Sequence, residues 1–380
     1  MLKRYKYRIY PSDIQKDFLH ATFGCCRFVW NMFLQEQKRT YEYKKKFVFQ
    51  HEMSALLTEV KKLEGYEFLK DVPSTSLQTI TRQQDRAMKD FIKKTKGFPK
   101  MKKKAHNQSL ELTRNQFSVK NGKLKLAKLK DSIKIKWSRE LPSEASSCTI
   151  LKTNTNKYYV SFVVDVPEVV KDVVSNSIGI DLGIETFLTI SDGRKIKSPN
   201  YKRLLDKQKK LQRRLSRKKK GSKNRDKARL CLAKNHEKIS NIRKDFINKV
   251  VSLLVRENQA ISIETLDIQK MLKNKYLARL ISLQGWHIFK LTLKAKAQEY
   301  QRIIYEVGTF VPTSQICSEC GFRWGKLALS IRSIECSQCH VSHDRDTNAS
   351  KNVLNEYLNY QQTAGHSAAS TTSVDATSSA

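Results

Sequence analysis

The stretch SIGIDLGIETFLTISDG, Ser177–Gly193, decides how the second half of this chain is interpreted. Two short apolar runs are separated by a turn at Gly183, and the sequence Ser-Asp-Gly follows them, so the stretch predicts two neighbouring strands. Asp181 lies among the apolar residues of the first strand, where an unpaired carboxylate is costly. Something in the fold must therefore offset the charge of Asp181.

The residues after this stretch alternate between helix and strand, which predicts an α/β region. From Tyr201 to about Gln259 the pattern is helical and densely basic, with a break at Gly221 and Ser222. The strand AISIETL follows, with Glu264 close to its end, and after it come the helix GWHIFKLTLKAKAQEYQ and the strand IIYEV. One more helix, TNASKNVLNEYLN, begins directly after Asp346.

Two Cys-x-x-Cys pairs, CSEC and CSQC, stand fifteen residues apart late in the chain. Four thiolates at this zinc-ribbon spacing suit a tetrahedral Zn²⁺ and close its coordination shell, so the ion is expected to hold a fold rather than to catalyse. A redox pair would not need the second pair, whereas His340 or His343 could replace one cysteine as a ligand. The predicted ligands are Cys317, Cys320, Cys336 and Cys339. The other cysteines, expected to be buried thiols in a reducing compartment, are Cys25, Cys26, Cys148 and Cys231.

Three acidic residues on separate elements, Asp181, Glu264 and Asp346, could form one site if the fold brings them together. Two unit charges 4 Å apart repel by roughly 4 kcal/mol at an effective dielectric of 20, and divalent cations relieve that repulsion. Oxygen ligands suit Mg²⁺ or Mn²⁺, and two such ions about 3.5–4 Å apart can support phosphodiester hydrolysis. The order Asp, Glu, then Asp before a helix is the order that a ribonuclease-H-like nuclease requires.

Other interpretations of these carboxylates stay open at the level of sequence. The sequence IGIDLG also resembles the first phosphate motif of actin-like and chaperone-type ATPases, although the chain shows no second glycine-rich phosphate loop. Glu264 alone could be a strand-end carboxylate with solvent access. Asp346 could merely cap the last helix.

The first half of the chain is predicted to combine a helical region with a β region. After the strand KYRIYP, Ser12 and Gln15 form a capping-box pair at the start of a long amphipathic helix, and a second helix follows VPSTSLQ. From about residue 106 the composition changes to alternating strands, with a turn at Asn121 and Gly122, which predicts a small barrel or sheet up to about residue 167.

The chain is strongly basic, with 73 Lys and Arg against 36 Asp and Glu, a formal net charge of +37. A sequence-reading DNA module makes about 6–10 phosphate contacts, so this surplus predicts a larger polyanion, such as a long duplex or a structured RNA. Neither an apolar signal segment at the start nor a run of about 18 apolar residues occurs, so the sequence predicts an intracellular protein with no membrane partner.

Several motifs in one order resemble the TnpB (OrfB) family of transposon-encoded RNA-guided DNA nucleases, relatives of the type V CRISPR effectors. The likeness extends to about residue 360. The motifs that carry it are RIYPSDIQKDFLHATFGCCRFVWN, FPKMKKK, IGIDLGI, LSRKKKGSKN, IETLDIQKMLKN, GWHIFKLTLKAKA, VPTSQICSECG and HDRDTNASKN.

The resemblance implies a multidomain α+β fold: a ribonuclease-H-like (RuvC) α/β nuclease domain with a zinc-ribbon insertion, a β-barrel wedge and a helical recognition lobe. Residues 1–11 and 106–172 would form the wedge and 12–105 the recognition lobe. Residues 173–310 and 344–360 would form the RuvC-like domain, interrupted by the zinc ribbon at 311–343. The tail, 361–380, is expected to be disordered because its apolar content is low.

The resemblance also assigns roles. Asp181, Glu264 and Asp346 correspond to the catalytic carboxylates that hold Mg²⁺ or Mn²⁺, and Asp344 is not the expected ligand. The implied partners are a guide RNA from the transposon end, with one protein chain per RNA, and target double-stranded DNA, read by base pairing beside a short target-adjacent motif. The implied location is the cytoplasm of a prokaryote, at the nucleoid when DNA-bound. The expected nucleic-acid contacts are Gln78, Arg213, Arg214, Arg217, Lys218, Lys219 and Lys220.

The chain departs from the family pattern at three positions. ISLQGW lacks the aspartate that commonly precedes this Gly-Trp, His340 replaces a usual glycine, and Ser350 replaces a usual alanine. None of these changes removes a catalytic carboxylate. Two alternatives remain for the function: a nuclease-inactive RNA-guided DNA-binding repressor, and a DNA transposase that joins strands.

Overall fold

The computed structural model describes residues 1–104, 108–168, 172–309, 311–328 and 330–371. The chain divides into two compact units, Met1–Glu168 and Val169–Ala380. Each unit has a hydrophobic core of its own.

The helices of the first unit are α1 (Asp13–Lys44), α2 (Gln50–Val60) and α3 (Ser74–Ile92). The predicted capping box is confirmed, because Ser12 N–H donates to Gln15 Oε1 at 3.0 Å and Gln15 N–H donates to Ser12 Oγ at 3.4 Å. This reciprocal pair satisfies backbone donors that the first turn of α1 leaves without partners. Helix α2 lies within the region that the sequence predicts to be helical, although its bounds were not predicted separately.

The strands of the first unit form one antiparallel sheet in the order β2-β6-β7-β1-β5-β4-β3. They are β1 (Leu2–Tyr10), β2 (Gln108–Thr113), β3 (Phe117–Lys120), β4 (Lys123–Leu126), β5 (Ile133–Lys136), β6 (Ala145–Lys152) and β7 (Tyr158–Asp165). The two edge strands, β2 and β3, are consecutive in the chain and are joined by the short 3₁₀ turn Arg114–Gln116, so the sheet is nearly closed and barrel-like. The predicted turn at Asn121 and Gly122 joins β3 to β4, and both residues have positive φ.

The second unit contains a five-stranded sheet in the order β10-β9-β8-β11-β12. Its strands are β8 (Ser177–Asp181), β9 (Leu188–Ile190), β10 (Lys195–Ile196), β11 (Ala260–Glu264) and β12 (Ile303–Val307). Strand β11 pairs in parallel with both β8 and β12, whereas β9 pairs antiparallel with β8 and β10. The parallel strands β8 and β11 lie side by side, so their carboxyl ends meet at the same edge of the sheet.

The helices of the second unit are α4 (Lys202–Ser216), α5 (Lys223–Glu257), α6 (Ile268–Met271), α7 (Ala278–Gln284), α8 (Trp286–Tyr300) and α9 (Arg345–Thr371). Of these, α5 and α8 cover one face of the sheet and α9 covers the other. Successive side chains of a strand point to opposite faces. Ile178 and Ile180 of β8 join a core with α5 and α8. The intervening Gly179 lies against α9, so α9 covers the opposite face. A two-stranded hairpin, β13 (Ser333–Glu335) and β14 (Ser342–Asp344), precedes α9.

Two expectations need correction. Helix α9 continues to Thr371 instead of ending near residue 360. Extending an existing helix requires only local hydrogen bonds, and the added residues include no proline. Residues 372–380 lie outside the described part of the chain. Cys231 is exposed rather than buried, because its apolar neighbours Leu230 and Leu232 lie on other faces of α5. Within the described ranges, no helix combines the length and the apolar character needed to cross a bilayer.

Candidate active site and cysteine cluster

Asp181 is the last residue of β8 and lies on the face of the sheet that α9 covers. Asp181 and Gly179 are two residues apart, so both side-chain positions face α9. Burial, together with the smaller repulsion from the carboxylates of Glu264 and Asp346, raises the pKa of Asp181 to about 8. The structure therefore places Asp181 close enough to both acidic partners for their charges to act on it.

Glu264 occupies the equivalent place at the end of the neighbouring strand. Ser262, two residues before it, donates its hydroxyl to the carbonyl of Val353 in α9 at 2.7 Å, so this face of β11 also meets α9. Glu264 Oε1 accepts a hydrogen bond from Thr313 Oγ1. Burial raises the pKa of Glu264, and the bond from Thr313 lowers it in part. Glu264 is thus a half-buried carboxylate with one fixed hydrogen-bond partner.

Two aspartates stand at the start of α9, and the structure separates their tasks. Asp344 Oδ1 accepts from the backbone N–H and the hydroxyl of Thr347, both at 3.0 Å, so Asp344 supplies the cap of the helix. Asp344 Oδ2 also pairs with Lys195 Nζ at 2.7 Å. Asp346 lies in the first turn and lines the same cavity as Asp181 and Glu264. The interpretation of Asp346 as a mere helix cap is therefore wrong, because Asp344 has that role.

The three carboxylates line one cavity of about 390 Å³. Two arginines also line it. Arg332 Nη1 lies 3.5 Å from Asp346 Oδ1, while Arg332 Nη2 lies 3.5 Å from Glu185 Oε2. Arg345 instead donates to the carbonyl of Ala328 at 2.7 Å. The cavity thus groups three carboxylates with two guanidinium groups in its lining, and its oxygen ligands suit hard divalent cations.

A close contact between α9 and β8 sets the position of Asp346. A Cβ added at Gly179 would lie 2.1 Å from the carbonyl oxygen of Ser350 and 2.5 Å from the backbone nitrogen of Leu354. Only glycine leaves room for the helix at this distance. Ser350, which replaces a usual alanine, is fully buried and donates its hydroxyl to the carbonyl of Thr347 at 2.8 Å. The hydroxyl that serine adds at this position is therefore hydrogen-bonded despite its burial.

Gln284 takes the place of the aspartate that commonly precedes Gly-Trp in the family. Its amide nitrogen, Nε2, donates to the carbonyl of Ile184, and its Oε1 accepts from the hydroxyl of Ser198. Ile184 belongs to the loop that follows Asp181. Gln284 thus connects this loop to the segment after β10 by two hydrogen bonds. With glutamine in place of aspartate, the position still carries a polar side chain that fixes the loop next to Asp181.

The four predicted zinc ligands come together in the structure. The Sγ atoms of Cys317, Cys320, Cys336 and Cys339 all lie within 4.8 Å of one another. Thiolates bound tetrahedrally at about 2.3 Å from Zn²⁺ stand about 3.8 Å apart. The pairs Cys317–Cys339 and Cys320–Cys336 are 3.7 and 3.6 Å apart, so the cluster could hold a metal ion such as zinc.

The two cysteine pairs sit in equivalent turns. Cys317 O accepts from Gly321 N–H at 3.1 Å, and Cys336 O accepts from His340 N–H at 2.8 Å. The fourth residue after the first cysteine has positive φ in both turns, +77° at Gly321 and +56° at His340. Positive φ explains why glycine is usual at residue 340. His343 Nε2 lies 3.1 Å from Cys317 Sγ, next to a cluster that already supplies four thiols.

The predicted nucleic-acid contacts lie on exposed surfaces. Helices α4 and α5 form a hairpin in which α4 has no buried residue. Arg225 Nη1 donates to the carbonyls of Leu215 and Lys218, both at 2.9 Å, and so holds the turn between the two helices. Gln78 is exposed on α3. The exposed cations of the hairpin turn include Arg213, Arg214, Arg217, Lys218, Lys219 and Lys220.

Sequence reasoning missed three residues at the site: Thr313, Arg332 and Gly179. Thr313 and Arg332 are ordinary polar residues in the segments that flank the cysteine pairs, and no spacing rule singles them out. Gly179 was visible as a glycine inside a strand, which is a signal of close backbone approach.

The chain is similar to known protein families and to a solved structure. Three family profiles match: "Helix-turn-helix domain" of OrfB over residues 1–46, "Probable transposase" of OrfB over 161–275, and "Cas12f1-like, TNB domain" over 286–353. The chain also resembles a solved structure titled "Cryo-EM structure of the Cas12f1-sgRNA-target DNA complex" with a TM-score of 0.55, 14% identity, and coverage of 93% of this chain and 98% of that one. At this identity the likeness concerns the fold alone.

Two curated relatives cover nearly the whole chain. A protein of Streptomyces pristinaespiralis is 38% identical over 357 residues, which are 93% of this chain and 88% of the relative. A protein of Escherichia coli (strain K12) is 28% identical over 372 residues, 93% of this chain and 92% of the relative. Both are named "Putative RNA-guided DNA endonuclease", the second with InsQ added. From the cysteine cluster, the three grouped carboxylates and this near full-length similarity, we conclude that the chain belongs to the TnpB (OrfB) family of transposon-encoded RNA-guided DNA endonucleases.

Proposed function

We propose that this chain binds a guide RNA and hydrolyses target DNA that pairs with the guide, using Asp181, Glu264 and Asp346 as its catalytic carboxylates. The observation that carries the proposal is the meeting of these three side chains in one cavity, where burial and mutual repulsion raise the pKa of Asp181 to about 8. Perturbed carboxylates in a cleft are typical of functional sites. A cation site explains why the fold retains this unfavourable charge.

The order of the second sheet supports a ribonuclease-H-like (RuvC) assignment. Three antiparallel strands, β10-β9-β8, are extended by two strands parallel to β8, namely β11 and β12. In such a sheet the carboxylates at the ends of the two central strands face one covering helix, which here is α9. We assign residues 173–310 and 344–360 to this domain and 311–343 to the zinc ribbon. In the first unit we assign 12–105 to a recognition lobe, and 1–11 with 106–172 to a wedge.

The carboxylate oxygens fit Mg²⁺ or Mn²⁺, and the four thiols fit Zn²⁺. Paired divalent ions, when bound, would activate a water and stabilise the leaving oxygen of a phosphodiester. The chain's own contribution is to hold these ligands. Asp181 is fixed by β8, Glu264 by β11 and its bond from Thr313, and Asp346 by the capped first turn of α9. Arg332 stands beside Asp346, where its charge can also act on a bound phosphate.

The basic surface would bind the nucleic acids. The cations at the turn between α4 and α5 are exposed and extend from a helical hairpin, as backbone phosphate contacts require. Gln78 would face the target-adjacent duplex. We propose one chain per guide RNA and a cytoplasmic location, at the nucleoid when the complex holds DNA.

The test is cleavage of guide-matched target DNA by the purified ribonucleoprotein with Mg²⁺, after sequencing of the RNA that copurifies. Wild type should cut, and Asp181→Asn, which preserves the volume of the side chain, should not. Asp192→Asn is the matched control, because Asp192 is an exposed turn residue that pairs with Arg194. An inactive wild type that still binds target DNA would favour an RNA-guided repressor.

A transposase remains the second candidate, because one matching family profile is described as a probable transposase. Strand-transfer products formed from transposon-end DNA without any RNA would favour it. Hydrolysis that requires the guide RNA would exclude it as the main activity.

A further inference from the structure

Three asparagines on one face of α9 bind the main chain of the segment 313–318. Asn348, Asn352 and Asn355 are spaced four and three residues apart, so they lie above one another on the helix. Asn352 Nδ2 donates to the carbonyls of Thr313 and Ile316, both at 2.7 Å. We call Asn348, Asn352 and Asn355 the asparagine face.

The other members of the asparagine face continue the contact toward the cysteines. Asn348 Nδ2 donates to the carbonyl of Ile316 at 2.7 Å, and its Oδ1 accepts from the N–H of Ser318 at 2.9 Å. Asn355 Nδ2 donates to the carbonyl of Ser318 at 3.2 Å. The segment begins with the 3₁₀ turn Thr313–Gln315, and its partly buried main-chain groups need such partners. The conformation of the segment therefore depends on these amides.

The segment 313–318 touches both metal-binding clusters. At one end, Thr313 donates to Glu264 at the carboxylate cavity, and Thr313 is itself buried. At the other end, Cys317 belongs to the four-thiol cluster and contacts His343, which directly precedes the capping residue Asp344. The asparagine face is borne by the same helix that carries Asp346. The segment 313–318 and the first turns of α9 are thus shared by the two clusters.

We propose that the asparagine face couples the two metal sites, so that zinc at the thiols and a divalent cation at the carboxylates each raise the affinity for the other. This inference rests on the proposed function, because it takes the carboxylates as a cation site. Each ion orders the segment 313–318, so the second ion to bind meets a segment that is already ordered. Asn348 and Asn352 are positioning residues in this scheme. They touch neither ion, and they act through the segment that bears Thr313 and Cys317.

The test uses the reciprocity of binding linkage in the full-length, zinc-loaded protein. Zinc affinity is measured by equilibrium competition with a chromogenic chelator, with and without saturating Mg²⁺. In wild type, Mg²⁺ should tighten zinc binding by about tenfold, which lies within the usual range of coupling between two sites. Asp181→Asn removes the cation site and should abolish the Mg²⁺ effect, and it also controls for any direct action of Mg²⁺ on the chelator.

The variant Asn352→Ala should bind zinc with an affinity that Mg²⁺ no longer changes. Asn348→Ala is a second variant with the same expected loss of coupling, should Asn352→Ala fail to fold. Asn359→Ala is the matched control, because Asn359 is exposed on the same helix, and it should keep the full Mg²⁺ effect. Titration calorimetry measures Mg²⁺ binding separately in each protein.

The outcomes separate the inference from the proposed function. Mg²⁺ binding by wild type with no change in zinc affinity would overturn the coupling and leave the cation site intact. A full Mg²⁺ effect in both asparagine variants would also overturn it, because the coupling would then use another route. No Mg²⁺ binding to wild type would remove the cation site, and the proposed mechanism and this inference would fall together.

Discussion

The substitution Gly179→Ala tests the contact that places Asp346 beside Asp181. The added Cβ would stand 2.1 Å from the carbonyl oxygen of Ser350, whereas ordinary contact begins at 3.4 Å, so α9 must shift by about 1.3 Å. The opposing atoms belong to the backbone of the helix and cannot rotate away. Overpacking of this kind costs about 1–3 kcal/mol of stability. A misplacement of about 1 Å at a catalytic centre can cost about 10²-fold in rate.

The assay compares cleavage rates under single-turnover conditions and thermal unfolding for Gly179→Ala and wild type. We expect cleavage to fall by about 10²-fold and stability to fall by about 1–3 kcal/mol, with guide-RNA binding retained. Gly97→Ala is the matched control, because a Cβ at Gly97 meets nothing within 4 Å and should change neither quantity. If Gly179→Ala cuts and unfolds like wild type, α9 does not lie against β8 at this distance, and our account of the site is wrong.

Four further predictions follow from single features of the second unit. In metal-free protein the pKa of Asp181 is raised, so its contribution to stability is fully present below pH 4 and is lost as the pH rises toward about 8. Calorimetric scans should therefore show that Asp181→Asn raises the Tm at pH 8 by about 2–4 °C or more and leaves it unchanged near pH 4. His340→Gly should stabilise the chain by about 1 kcal/mol because φ is +56° at this residue, a gain that thermal unfolding detects. Elemental analysis should find one zinc per wild-type chain and clearly less than one in Cys336→Ser, since three thiols leave one coordination position without a cysteine. Replacing Arg213 and Arg214 with Ala should weaken RNA binding and reduce the slope of log affinity against log salt by about 0.7–0.9 for each lost phosphate contact, as measured by titrations at several salt concentrations.

Local patterns in the sequence predicted the separate parts of this site well. The apolar runs around Asp181 and Glu264 identify β8 and β11, and the period of two residues places each carboxylate on the same face as its neighbour two residues earlier. The cysteine spacing identified all four members of the thiol cluster. These features depend on residues close together in the chain, which is why spacing and periodicity report them.

The sequence alone could not decide which aspartate before α9 faces the cavity. Asp344 and Asp346 are both acidic residues at a helix start, and only the hydrogen bonds to Thr347 show that Asp344 is the cap. In the sequence, Asp346 stands out because it directly precedes the last predicted helix, and only the resemblance to a known family set Asp344 aside. The contacts of Thr313 with Glu264 were likewise invisible, since a lone threonine carries no pattern.

Local patterns in the sequence therefore account for most of the helices and strands, for the faces that they bury and for the types of ligand that each can offer. The tertiary structure decided the approach of α9 to Gly179, the sharing of the segment 313–318 and the meeting of three distant carboxylates. The two kinds of feature differ because they depend on interactions of different range along the chain. Strand and helix patterns reflect interactions among neighbours in the chain, whereas the distance between two elements is set by how the side chains and backbones of both fit against each other.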